Sequence, residues 1–233
     1  MLAGIVFVRR SGLTLSVTSV LASLILHIAH LSWMDPQITN LVPVLKSYWL
    51  IIHVATITTS YGFLALGALL ASVNLLVMVF QNRFNYMSIE LTIKQLTCII
   101  EMTLITGLYF LAVGTFLGAV WANESWGRYW GWDPKETWAL ATIIVYAFIV
   151  HMRLVPGLKG RFSFNLAALL GLGSVIMTYF GVNYYLSGLH SYAKGDPLPV
   201  PVFVYFALGI IVLVAILASI NQRRLHKKDI LRQ

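Results

Sequence analysis

Histidines and tryptophans are the residues with the widest chemical scope in this 233-residue chain. Neutral imidazole is the commonest side-chain ligand for a metal, and two imidazoles on opposite faces complete an iron whose remaining positions a flat macrocycle fills. His53 and His190 are the candidates for that pair. Five of the seven tryptophans, Trp121, Trp126, Trp130, Trp132 and Trp138, fall within the 18 residues WANESWGRYWGWDPKETW, interleaved with Gly127, Tyr129 and Gly131. An aromatic belt where helices leave a bilayer explains one or two of them, not five. Broad rigid rings bury a large apolar face with little loss of rotamer freedom, and glycines between them let the backbone approach it closely. Heme is a ligand of that shape. Asp133-Pro134 reads as a helix start, with Asp133 as the cap and Lys135 and Glu136 in the first turn.

The elements that must position these residues are membrane helices. Hydrophobic residues make up 59% of the chain, charged residues only 10%, and the mean hydropathy is +0.82. Six apolar runs, at about 12–31, 48–80, 96–120, 137–152, 163–186 and 201–220, approach or exceed the roughly 20 residues needed to cross a hydrocarbon core. The expected fold is therefore an all-α, polytopic membrane helix bundle forming a single domain over 1–233. The N-terminal run has no A-x-A-like cleavage site and is read as a retained first helix.

With the N-terminus inside, the inner segments hold Arg9, Arg10, Arg83, Lys94, Arg153, Lys159, Arg161, Arg223, Arg224, Lys227, Lys228 and Arg232. The outer ones hold Lys46, Arg128, Lys135 and Lys194. That bias places both termini in the cytoplasm and the loops 32–47, 121–136 and 187–200 outside. His53, His190 and the tryptophan loop then share the outer side. The net charge of +8 is a topology signal, and nucleic-acid binding is excluded as a function. The single cysteine, Cys98, allows no internal disulfide and no CxxCH site for covalent heme. The tail from Arg223 to Gln233 reads as a solvated anchor.

The segment WANESWGRYWGWDPKETWA resembles the WWD signature of heme-handling proteins, in the form seen in the CcsA-type cytochrome c assembly proteins. Its Pro-Lys-Glu-Thr-Trp continuation is more similar to that type than to the related CcmC and CcmF types. SYWLIIHV and GLHSY are similar to the places where the family has two extracytoplasmic heme-ligating histidines, which makes His53 and His190 the implied axial ligands. The HMR at His151 resembles the family's transmembrane histidine, an implied heme acceptor paired with a histidine of a separate CcsB-type partner. Across the signature, the resemblance implies heme contacts at Trp121, Asn123, Glu124, Trp126, Gly127, Tyr129, Trp130, Gly131, Trp132, Asp133, Pro134 and Trp138. It runs from about Tyr48 to Tyr192. Many unfused members carry further N-terminal helices, so the chain reads as a short member or the C-terminal part of a longer one.

What the resemblance implies is cytochrome c assembly: heme b, as a transient substrate, is presented for thioether attachment to the CxxCH thiols of apocytochrome c. The chain would then be one subunit of a lyase-type holocytochrome c synthase, working with thiol-reducing proteins in a bacterial inner membrane or a thylakoid membrane. Arg128, Lys135 or Lys194 could meet the heme propionates. An exporter of the CcmC type, delivering heme without attachment chemistry, is the alternative. A cytochrome b is disfavoured because only His151 falls inside the bilayer, and a cofactor-free scaffold leaves the clustered residues unexplained. His27 and His30, one turn apart, read as structural; Glu101, inside an apolar run, needs a partner.

Overall fold

The computed structural model describes residues 12–30, 46–186, 188–190, 200 and 202–230, and all regular structure among them is helical. The helices are α1 (Gly12–His30), α2 (Tyr48–Phe80), α3 (Tyr86–Trp126), α4 (Pro134–His151), α5 (Arg161–Ile176), α6 (Val182–Tyr185) and α7 (Val202–Ile230). A π turn, Met177–Gly181, joins α5 to α6, so the two form one interrupted span. Five segments are long and apolar enough to cross a membrane: Tyr48–Phe80, Tyr86–Trp126, Pro134–Leu154, Arg161–Tyr185 and Val204–Leu225. Thr14–His27, within α1, is a shorter apolar helix. Helices are what lipid permits, because every backbone donor and acceptor must be satisfied within its own segment. The chain is a multi-pass, all-α membrane protein.

The α2–α3 hairpin forms the spine. Leu64, Leu70, Ile100, Leu104 and Leu111 are fully buried between it and α4 and α5, together with Tyr146 and Ala168. Close approach depends on small residues. A Cβ at Gly67 would stand 2.5 Å from Leu104, one at Gly107 2.7 Å from Leu64, and one at Gly114 2.7 Å from Ile57. Without a hydrophobic drive between helices in lipid, such packing and interhelical hydrogen bonds hold the bundle. The main polar lock joins α2, α3 and α5. Buried Asn74 donates to Thr97 Oγ1 and Asn165 Oδ1, both at 3.0 Å, and Asn165 donates to Thr97 at 3.1 Å. On α7, Asn221 donates to the Met78 and Gln81 carbonyls at 2.9 and 2.7 Å, closing the end of α2 from outside.

Three boundaries differ from the sequence reading. At 41 residues, α3 is about 60 Å long at 1.5 Å per residue, twice the hydrocarbon core. It begins at Tyr86 and runs through Trp126, so the first tryptophans belong to a helix and the loop shrinks to Gly127–Asp133. The chain contains no helix breaker there until Gly127, whose φ of +72° lies in the left-handed region that glycine tolerates. The basic segment after Arg223, beyond the expected span 201–220, is still helical, since α7 continues to Ile230. Glu101 has the partner it needs: its Oε1 is 2.9 Å from Arg153 Nη1 across the α3–α4 gap.

Candidate functional site

At the end of the bundle where α2 begins and α3 ends, a cavity of about 920 Å³, counting its open mouth, is bounded by α2, α3, the tryptophan connector, α4 and the π turn. His53, Trp121, Tyr129, Trp130 and His190 all line it, with Lys135 at the rim.

His53 comes from the second turn of α2 and lies against α3. Its Nδ1 is 2.7 Å from the Gly114 carbonyl oxygen, which can only accept, so Nδ1 carries the proton and Nε2 carries the lone pair. Gly118, one turn further along α3, makes the space: a Cβ there would meet the imidazole at 2.6 Å. Trp121 is 1% exposed and stacks on His53, with centroids 6.3 Å apart and planes 9° from parallel.

His190 reaches the same indole from the other direction. Its ring lies 5.5 Å from Trp121 and 5.0 Å from Trp126, the latter edge-on. Its Nδ1 is 2.8 Å from Asp133 Oδ2, and Asp133 Oδ1 accepts from the Leu189 N–H at 2.6 Å. One carboxylate therefore clamps the His190 segment while it also caps α4 through the Lys135 N–H. Glu136 completes the box, its Oε2 accepting from the Gly131 and Asp133 amides at 2.8 and 3.2 Å. These bonds hold Trp132 at a φ of +57°, a backbone region that costs a bulky residue of order 1–3 kcal/mol.

Burial holds His190 below the ordinary imidazole range, and neighbouring Lys135 adds to this, although the bond to Asp133 opposes it. For Asp133, burial alone would raise the carboxyl. Bonds from His190 and from the Leu189 and Lys135 amides outweigh it and hold the group below its usual range. The pair is thus a neutral imidazole donating Nδ1–H to an ionised carboxylate, which leaves the lone pair on Nε2. Both histidines have the tautomer that a metal ligand requires.

The other residues singled out in the sequence occupy varied places. Trp126 and Asp133 back His190. The Asn123 carbonyl closes α3 against the Gly127 amide at 2.9 Å, and exposed Glu124 accepts from Ser47 at 3.0 Å. Trp132 is 69% exposed and meets Trp130 edge-on at 5.7 Å. Pro134 opens α4, and the Arg128 guanidinium covers Gly131. The Trp138 carbonyl accepts from the Thr142 and Thr178 hydroxyls at 2.8 and 3.2 Å, bracing α4 against the π turn. Lys135 donates to Asn183 Oδ1 at 2.9 Å. His151 is elsewhere: it lies at the far end of α4, exposed, with Nδ1 2.7 Å from the Ala147 carbonyl. Lys194 lies outside the described residues, and His27 and His30 are at the end of α1.

Sequence reasoning did not find Gly118, Gly188 or the Asp133–His190 bond. Gly118 had a signal in the Gly114-x-x-x-Gly118 spacing, which marks close helix contact. A Cβ at Gly188 would come within 2.4 Å of Asp133 Oδ1, so only glycine lets the His190 segment reach its clamp.

The structure defines a membrane helix bundle with two δ-protonated histidines and several tryptophans gathered around one end cavity. Residues 3–190 match the model of the cytochrome c assembly protein family. The chain is 52% identical over 199 residues to protein NrfI of Wolinella succinogenes, an alignment covering 85% of this chain and 22% of that one. It is 40% identical over 170 residues to the cytochrome c biogenesis protein CcsA of Guillardia theta, and 42% identical over 177 residues to CcsA of a Synechococcus strain. Each of these alignments covers 65% of this chain, with 56% and 58% of the respective relatives. The chain belongs to the cytochrome c assembly protein family, of the CcsA type. It spans somewhat more than half the length of the CcsA relatives and about a fifth of NrfI.

Proposed function

We propose that the chain binds heme b at the outer face of the membrane, with His53 and His190 as axial ligands, and presents it for thioether attachment to the CxxCH thiols of apocytochrome c. The observation that carries this reading is the pair of imidazoles on one cavity, each with Nδ1 committed to an acceptor of the protein. Among the described residues no three His, Cys, Asp or Glu side chains converge as a bare metal ion would need. Two imidazoles suffice when a porphyrin supplies the four equatorial nitrogens.

The residues divide the work by position. Gly114 and Asp133 fix the two rings, and Trp121 with Trp130 and Tyr129 supplies aromatic faces. Lys135, the cation of the cavity rim, is placed to meet a propionate. The outer assignment rests on charge: the opposite end carries Arg83, Arg153, Lys159, Arg161, Arg223 and Arg224, against Lys46, Arg128 and Lys135 at the cavity end. His151, at that inner end, acts as an earlier heme acceptor together with a CcsB-type partner. Holding the iron and the apocytochrome thiols together lowers the barrier by orientation, with no separate acid or nucleophile required.

The test is co-expression of the full chain with a CcsB-type partner and an apocytochrome c bearing CxxCH, reading covalent heme on the denatured cytochrome. Covalent product that depends on His53 and His190 supports the reading. Heme appearing outside the cell membrane without any thioether product would replace it with export alone.

Two further outcomes are expected of the purified chain. Gly118→Ala strengthens α3 by about 1 kcal/mol of intrinsic propensity, yet its methyl displaces the His53 ring, so heme retention should fall about tenfold while helicity is unchanged. Retention equal to wild type would remove His53 as a ligand. Acidification should also release heme. His190 and Asp133 both bind protons less readily when docked than when free, so docking is favoured at high pH. It is lost as the pH falls below the ordinary imidazole range, where free His190 takes a proton before docked His190 does, and further below the ordinary carboxylate range, where Asp133 follows. Absorbance followed from alkaline to acid pH checks this; loss on the alkaline side would contradict it.

A further inference from the structure

The opposite end of the bundle contains a second recess. One lobe, about 810 Å³ with its open mouth, is lined by Met78, Ile93, Phe162 and Leu225 on its apolar side, with Tyr86, Glu90, Lys159, Arg161 and Gln222 on its polar side. An adjoining lobe of about 500 Å³ shares Lys159 and Arg161 and adds Glu101, Arg153, Val150 and Phe164. The charges in it are unequal. Glu90 is spent on Arg161 through one oxygen and accepts from Gln81 Nε2 at 3.1 Å through the other. Glu101 is spent on Arg153 at 2.9 Å. Lys159, exposed on the α4–α5 connection, has no carboxylate partner among the described residues, so the recess carries an uncompensated positive charge between two ion-paired arginines.

We propose that this recess binds the headgroup of an anionic phospholipid, with Lys159 facing the phosphate and an acyl chain lying along Met78, Ile93, Phe162 and Leu225. The division of the lining supports an amphiphile over a small anion. The recess lies at helix ends, where α2 and α7 finish and α5 begins, and so at the depth where a lipid places its phosphate. Basic pockets between membrane helices are a recurring form of headgroup site. The occupant would also touch α7 through Gln222 and Leu225. That helix meets the bundle through the Asn221 and Gln222 bonds to the end of α2 and through buried Ala218, and the lipid adds a further tether there.

The experiment is native mass spectrometry of the full chain released from nanodiscs of phosphatidylcholine containing a minor fraction of phosphatidylglycerol, comparing wild type with Lys159→Gln, Lys159→Arg and Arg83→Gln. Arg83 is exposed at the same end and does not line the recess. Wild type and Lys159→Arg should retain phosphatidylglycerol over phosphatidylcholine, and Lys159→Gln should lower that preference about fivefold, the worth of one cation near an anionic headgroup. Arg83→Gln should leave it unchanged. Equal losses in Lys159→Gln and Arg83→Gln would reduce the effect to general surface charge and overturn the site. So would an absence of preference in wild type, or displacement of the retained lipid by inorganic phosphate or by hemin at equal concentration. The lipid preference of each variant is read before any hemin is added, so failure here is separate from failure of the outer site.

Discussion

Replacing His53 and His190 together by alanine is expected to abolish the six-coordinate, low-spin heme spectrum of the detergent-purified chain, and each single change should leave a five-coordinate or heme-poor protein. The effect is large because among the described residues no third histidine lines the cavity, and His151 is at the other end of α4. Even second-shell groups around a metal are worth about 10–100-fold in affinity, so loss of a first ligand should exceed that. Exogenous imidazole should restore the spectrum of either single variant, since the cavity left by a missing ring fits the added one. Rescue separates lost ligation from lost folding. A double variant with an unaltered low-spin spectrum would move the iron to His151 or to a partner chain.

Asp133 carries the second large effect, and two substitutions divide its roles. Asp133→Ala removes the acceptor for the Leu189 and Lys135 amides and for His190, leaving donors unsatisfied around a side chain that is 4% exposed. A lost cap is worth about 1 kcal/mol and each buried unsatisfied donor about 1–3 kcal/mol, so the connector should lose its fixed form and heme retention should fall by two orders of magnitude. Asn caps a helix about as well as Asp, so Asp133→Asn should keep the start of α4, but its amide nitrogen replaces one accepting oxygen and faces the Leu189 N–H, costing about 1–3 kcal/mol, less than Asp133→Ala. It also loses the charge that holds the His190 Nδ1–H, and heme affinity should fall about tenfold. Thermal unfolding and heme titration on both variants check this. Equal heme affinity in Asp133→Asn and wild type would reduce Asp133 to a cap alone.

That the chain is a bundle of membrane helices was legible in the residues, because lipid leaves few alternatives, although among the described residues five of the six expected runs are long and apolar enough to cross. An apolar run of sufficient length must be a helix, and Asp133-Pro134 with Glu136 three residues on marks a helix start wherever it stands. The crowding of tryptophans could be read as a ligand surface, since belt chemistry accounts for only part of it. Less legible was where helices stop outside the hydrocarbon. Hydropathy falls at the interface, but helix geometry does not, and α3 continues to Gly127 because nothing before it breaks a helix.

The tertiary structure decided the pairings. His190 and Asp133 are 57 residues apart, His53 and Gly114 are 61 apart, and Glu101 meets Arg153 across two helices. No local pattern specifies such a bond, because it depends on the rotation and depth of one helix against another, which glycines such as Gly107, Gly114 and Gly118 set by how near they let the backbones come. The sequence by itself determined an all-α membrane chain with a dense tryptophan segment between two of its spans. Packing decided which ring nitrogen of His53 and His190 is left to bind, because a tautomer is chosen by the acceptor that the fold places beside it.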